Sequence, residues 1–252
     1  MNYNKEEIAL LLEICVDSVE SAQAAVAGGA DRLELCGNLL IGGTSPSPFL
    51  IEAVKKLDIP VRVLLRPRFG DFLYTSSEKE ILLKEVEMCR SMGVDGVVLG
   101  ALQADGTLDV PFLTSLVQAA GSMGKTLHRA FDVCADAQQG LETAVALGFD
   151  TILTSGQAAT AVDGLETLAQ LQKQAQGRIT LLAGSGVSAD NIALIRDRTG
   201  ITSFHMSGKH TVDGGMRFRR EGVPMGLPFA SEYQRVYTSE DEVRRASRVR
   251  NA

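Results

Sequence analysis

The chain has 252 residues, 45% of them hydrophobic, with 25 glycines, no tryptophan and a mean hydropathy of +0.07, which excludes a disordered or collagen-like polypeptide. Its 25 basic side chains against 31 acidic ones give a net charge of −6, the wrong sign for a protein that neutralises nucleic-acid phosphates over a broad surface. No window reaches the roughly 20 apolar residues of a membrane span, and the opening MNYNKEE lacks a basic stretch ahead of a long apolar run, so a cytosolic protein partnered by neither membrane nor nucleic acid is expected.

After an extension over residues 1–7, apolar runs of strand length recur at Ala9 to Ile14, Arg32 to Leu35, Val61 to Leu65, Gly96 to Leu99, Thr126 to Phe131, Thr151 to Thr154, Ile179 to Ala183 and Ser203 to Met206. Between them lie segments with apolar residues three and four apart, such as Ile81, Val86 and Cys89 before Gly93, or Leu113, Leu116 and Val117 before Gly121. A second signal has the period of two strands: GAD at Gly29, GVD at Gly93, GFD at Gly148 and GIT at Gly200 precede the second, fourth, sixth and eighth strands. Eight alternating units predict a single (β/α)8 TIM-type barrel. An open doubly wound sheet is the competitor, but the first strand lacks the GxGxxG turn such sheets use for dinucleotides. A long Gly- and Pro-containing loop over 208–235 is expected after strand eight. A closing helix over 239–250 follows, opened by a capping box of Ser239 and Glu242 and ending in arginines that suit its dipole.

In a parallel barrel the outward parity of each strand is apolar and the inward parity lines the interior. On strand one Leu12 and Ile14 take the outward positions, leaving Glu13 and Cys15 inward. On strand two Leu33 and Leu35 leave Glu34 and Cys36 inward. The RPRF turn after strand three directs Arg66 and Arg68 inward, His128 and Asp132 share a parity in HRAFD, and His205 pairs with Ser207 on strand eight. Glu13, Glu34, His128, Asp132 and His205 are therefore candidate acid–base groups at one mouth, with Arg66 and Arg68 holding an anion. The plainer alternative is an ion-pair layer in which Glu13 and Glu34 neutralise Arg66 or Arg62. After strands seven and eight, Gly184, Ser185 and Gly186, then Ser207, Gly208 and Lys209, form two loops where barrels commonly cradle phosphate; permissive turns are the alternative. Read this way, the ligand is a small phosphorylated or carboxylated metabolite, and the reaction an isomerisation or carbon–carbon cleavage without a metal. Lys125 and Lys209 lie at the wrong places for an imine.

The segments LEICVDS, RLELCG, LLRPRFGDF, HRAFD, LTSG and LAGSGV together resemble the CutC family, from about Leu11 to Val187 and on through strand eight. The resemblance implies a cytosolic barrel, usually a homo-oligomer, linked to copper homeostasis, with no reaction firmly attached. Cytosolic copper is cuprous and prefers thiolate and imidazole ligands, two or three at a time. Cys15 and Cys36, on adjacent strands with the same inward parity, are the candidate pair for Cu(I), with His205 or Met206 as helpers. Small buried hydrophobes are the alternative for both. Cys89 reads as core and Cys134 as intermediate. A non-catalytic scaffold acting through exposed helix faces remains a third reading.

Overall fold

Strands buried on both faces need apolar side chains outside, against helices, and a filled interior within. The structure, a computed structural model, describes residues 10–227 and 230–250; the expected extension over 1–7 lies outside them. Eight parallel strands close into one barrel in sequence order: β1 (Leu11–Val16), β2 (Arg32–Leu35), β3 (Val61–Leu64), β4 (Gly96–Leu99), β5 (Gly124–Leu127), β6 (Thr151–Thr154), β7 (Thr180–Ala183) and β8 (Ser203–Met206), which pairs back onto β1. Around them run α1 (Val19–Gly28), α2 (Pro48–Val54), α3 (Ser76–Met92), α4 (Val110–Ala120), α5 (Ala137–Leu147), α6 (Leu165–Ala175) and α7 (Ile192–Thr199). This is the predicted TIM-type barrel. No helix among the described residues is long and apolar enough to cross a membrane.

The GxD repeat has a physical cause. Its glycine ends the preceding helix in the left-handed region, as at Gly93 with φ 66°, whose amide donates to the Cys89 and Arg90 carbonyls. Its aspartate then accepts a hydrogen bond from a backbone amide at the start of the preceding strand: Asp31 Oδ2 from Leu12 at 2.7 Å, Asp95 Oδ2 from Val61 at 2.8 Å, and Asp150 Oδ2 from Lys125 at 2.6 Å. β1, β3 and β5 are thereby pinned at their N-terminal ends to the even strands that follow them, and the fourth unit has Thr202 at the same position.

The bottom of the barrel is filled by Arg62. Its Nη1 donates to Thr126 Oγ1 at 2.6 Å, Asp150 Oδ1 at 2.7 Å and Thr151 Oγ1 at 3.2 Å. Gly96 and Gly124 make room for it; a Cβ at Gly124 would lie 2.7 Å from Arg62 Nη2. Arg62 stands beside Glu34 in the β2–β3 register, but its guanidinium is turned away to Thr126, Asp150 and Thr151, so it neutralises Asp150 and neither Glu13 nor Glu34.

Two elements differ from the sequence reading. β5 stops at Leu127, and residues Arg129–Val133 form a 3₁₀ turn in place of the expected strand end, so strand parity does not govern Asp132. The expected loop over 208–235 contains an antiparallel ribbon, β9 (Lys209–Asp213) with β10 (Gln234–Thr238), whose exposed alternation carries no apolar face for sequence periodicity to register. From the ribbon, Thr238 N donates to Ser21 Oγ and leads into α8 (Glu240–Arg250), whose Ser239 Oγ accepts the Glu242 amide at 3.3 Å. Val243 and Ala246 are fully buried, and α8 packs between α1 and α7, covering β1.

Gly28 at the end of α1 lets α8 approach: a Cβ there would lie 2.6 Å from Val243 Cβ and 2.8 Å from the Glu240 carbonyl. Gly28→Leu is expected to lever α8 off the barrel, with a loss of about 2–3 kcal/mol from overpacking. Hydrogen exchange checks this: amides of α8 should lose protection while β4 to β6 keep theirs.

Candidate functional site

Glu13 is fully buried at the centre of the β8–β1–β2 seam. Arg32, its register partner on β2, donates from Nε to Glu13 Oε2 at 2.5 Å, and His205, its partner on β8, shares a 2.8 Å hydrogen bond between Nδ1 and Glu13 Oε1. Burial alone would raise the carboxyl's pKa, but the Arg32 charge and the His205 contact outweigh it and bring Glu13 down to about 2. A charged Glu13 takes the Nδ1 proton of His205 as donor, which turns Nε2 toward Glu34 and Cys15. Glu34 Oε2 is 3.9 Å from that nitrogen, and Cys15 Sγ, a Glu34 oxygen and a His205 nitrogen all lie within 4.8 Å of one another. Burial lowers the charged form of His205, yet Cys15, Glu34 and Glu13 hold its pKa well above the usual range. Glu34 is pushed up to about 7, chiefly by burial, and its Oε1 has no hydrogen-bond partner.

Cys15, Glu34 and His205, with Glu13 and Arg32 behind them, form one wall of a cavity of about 370 Å³ at the C-terminal ends of the strands. The facing wall comes from Arg66, Phe72, His128, Arg129 and Asp132. Arg66 is held by backbone carbonyls, with Nη2 donating to Gly70 at 2.7 Å and Nη1 to Gly43 at 3.3 Å; burial lowers its pKa. His128 accepts the Ala130 amide at Nδ1 (3.1 Å), which places its hydrogen on Nε2, and burial together with Arg66 holds its pKa down to about 3. Gly100 fixes that ring: a Cβ there would lie 2.3 Å from His128 Cε1. Asp132 is fully engaged, Oδ1 accepting from Thr154 Oγ1 (2.5 Å) and the Ser155 amide, Oδ2 from Ser155 Oγ and from Arg129 Nε (2.7 Å). It ties the 3₁₀ turn to β6 and leaves no free lone pair for a base.

Three expectations are corrected. Arg68 points away from the mouth: its guanidinium binds Glu78 at 2.6 Å and Asp71 at 3.0 Å, folding the loop back on the start of α3. Cys36 does not join the donor cluster. The β1–β2 register sets Glu34, not Cys36, opposite Cys15, and Cys36 packs against Leu64 and Val98 inside the barrel, its thiol donating to Val16 O at 3.6 Å. Burial pushes that thiol's pKa far up. The glycine loops divide between two tasks. Ser185, Gly186, Ser207 and Lys209 line a second cavity of about 340 Å³ that shares Cys15 and His205 with the first. Gly184, by contrast, gives its amide to Thr154 O, and Gly208, at φ 53°, accepts the Ser239 amide.

Arg32, Phe72 and Arg129 were not singled out from the sequence. Arg32 carried the signal, since it shares inward parity with Glu34; Arg129 could not be placed while HRAFD read as strand. Met206, the other suggested helper, is buried on the outward parity among core residues.

In the metal-free protein, the stabilisation from Glu13 is fully present above its ordinary pKa of 4.5 and is lost as pH falls through about 2. Glu13→Gln leaves Arg32 facing no carboxylate and is expected to cost roughly 3–5 kcal/mol at pH 7. Denaturant titrations of both proteins should converge as pH drops below 4.5; a difference constant down to pH 2 contradicts the assignment.

The family model for the CutC family matches residues 10–210. A Bacteroides fragilis family protein CutC is 46% identical over 237 residues, covering 93% of this chain and 94% of that protein. The human copper homeostasis protein cutC homolog is 44% identical over 236 residues, covering 93% and 86%. A crystal structure of CutC from Streptococcus agalactiae superposes with a TM-score of 0.75 at 31% identity, covering 79% of this chain and 98% of that one.

Proposed function

Because this chain belongs to the CutC family, we propose that its barrel mouth takes up cuprous ion reversibly as cargo, within copper homeostasis in the cytosol. One observation carries the reading: Cys15 Sγ, a His205 nitrogen and a Glu34 oxygen converge within 4.8 Å at the floor of an open cavity. The donor chemistry suits the ion. A thiolate and an imidazole satisfy Cu(I), which accepts two or three soft or borderline ligands, whereas a carboxylate is a poor one. Glu34 then stands beside the pair as a charge partner and Cys15 and His205 bind the metal.

Glu13 supports this assignment from behind. A ligating histidine ordinarily donates its other ring N–H to a carboxylate, which fixes the tautomer and strengthens the ligand. Glu13 accepts that bond from His205 Nδ1 at 2.8 Å, and Arg32 holds Glu13 in turn. Cys36 falls outside the ligand set, since its thiol is buried and hydrogen-bonded to backbone.

An anaerobic competition titration against a colorimetric Cu(I) chelator tests the reading. Cys15→Ser and His205→Gln are each expected to weaken cuprous binding by at least about 100-fold, and Glu13→Gln by about 10–100-fold. Cys36→Ser and Arg66→Ala should leave it nearly intact. Unchanged affinity in Cys15→Ser, or loss in Cys36→Ser, overturns the assignment.

A further inference from the structure

The half of the mouth formed after β3 and β5 takes no part in the proposed metal site, yet it holds two buried N–H groups without an acceptor. Arg66 is 9% exposed and has no carboxylate within 4 Å among the described residues; its bonds go to backbone carbonyls, which orient the guanidinium without neutralising it. Its Nε–H has no acceptor. His128 is 4% exposed, and its Nε2–H, the donor left once Nδ1 accepts the Ala130 amide, has none either. Each such buried orphan donor is destabilising until an acceptor reaches it. Both side chains lie against the same ring: the Arg66 guanidinium carbon is 5.0 Å from the Phe72 centroid, and the His128 ring centroid is 4.9 Å from it. Phe72 is half-buried and lines the cavity beside both donors, and its loop is held in place by the Leu102 amide donating to Phe72 O at 2.9 Å.

We propose that Arg66 and His128 form a binding site for a small monocarboxylic acid, with the Phe72 ring beside both donors. Two unpaired N–H donors match the two oxygens of one carboxylate. The charge balance selects the same class. The other arginine on the cavity wall, Arg129, is neutralised by Asp132, and Arg32 is neutralised by Glu13, so one positive charge remains on this wall. His128 adds a donor and no charge, because its pKa is held down to about 3. A phosphate dianion would bring a second negative charge toward Glu34 and find too few donors. The cavity of about 370 Å³ has room for an organic acid of small-metabolite size. The site does not depend on copper: its residues come from the β3–β5 arc, and the proposed metal ligands from the β8–β1–β2 arc.

Isothermal titration of the metal-free protein with propionate, pyruvate and inorganic phosphate tests the site, alongside thermal melting of every variant to verify folding. Propionate or pyruvate should bind, phosphate more weakly than either. Arg66→Lys, which loses the Nε–H, and His128→Asn, which keeps the acceptor for Ala130 but loses the Nε2–H, should each weaken carboxylate binding by about tenfold or more. Arg235→Ala, an exposed arginine on the ribbon, should not. In the wild-type chain, a ¹⁵N NMR titration should shift Arg66 Nε and His128 Nε2, which reports on the site without any substitution. Absence of binding by both monocarboxylates, tighter binding of phosphate, or binding unaltered in both Arg66→Lys and His128→Asn overturns the proposal. Cu(I) competition on Arg66→Lys separates this outcome from failure of the metal reading, since cuprous affinity should persist there.

Discussion

A carboxylate removed from water is costly unless its charge is matched and its lone pairs are satisfied. Glu13 meets both conditions only because the two strands flanking β1 deliver partners to it, Arg32 from β2 and His205 from β8. The β8–β1 pairing is where the barrel closes, so the interaction that makes Glu13 tolerable also records that closure has occurred in register. A one-residue slip of β8 would turn His205 to the helices and bring Phe204 against the carboxylate. The ring orientation of His205, and with it the direction of Nε2 toward Cys15 and Glu34, follows from the same hydrogen bond.

Much of the architecture was legible because two independent periodicities agree. Strand alternation sorted Leu12 and Ile14 from Glu13 and Cys15, and Leu33 and Leu35 from Glu34, and it drew Glu34, Arg66, His128 and His205 around one cavity, with Glu13 behind His205, although they span nearly the whole chain. The GxD repeat counted strand pairs. Its cause was not visible in sequence: nothing in the letters shows that Asp31, Asp95 and Asp150 each reach back to the amide of the strand before. The glycine and the aspartate of each motif therefore act on different elements, one ending a helix and the other starting a strand.

What sequence could not settle was register and strand length. Cys15 and Cys36 share a parity, but parity leaves open which residue of β2 stands beside Cys15, and hydrogen bonding selects Glu34. HRAFD has the apolar alternation of a strand, yet the amide of Ala130 finds its acceptor in the His128 side chain and the chain turns there into 3₁₀ geometry. Arg68 obeys parity in principle but lies past the last ladder bond of β3, where the capping Glu78 at the start of α3 offers it a closer charge than the cavity does. In each case a local polar partner, invisible to a hydrophobic pattern, overrode the extrapolated strand.

The Arg62 plug has a consequence for traffic. With its guanidinium fastened to Thr126, Asp150 and Thr151 and the space at Gly96 and Gly124 taken up, the interior is, among the described residues, stopped at that end. A ligand that enters from the mouth therefore leaves past the same rim. Anything that covered that rim would block entry and exit together, so occupancy of the well would be governed at one face.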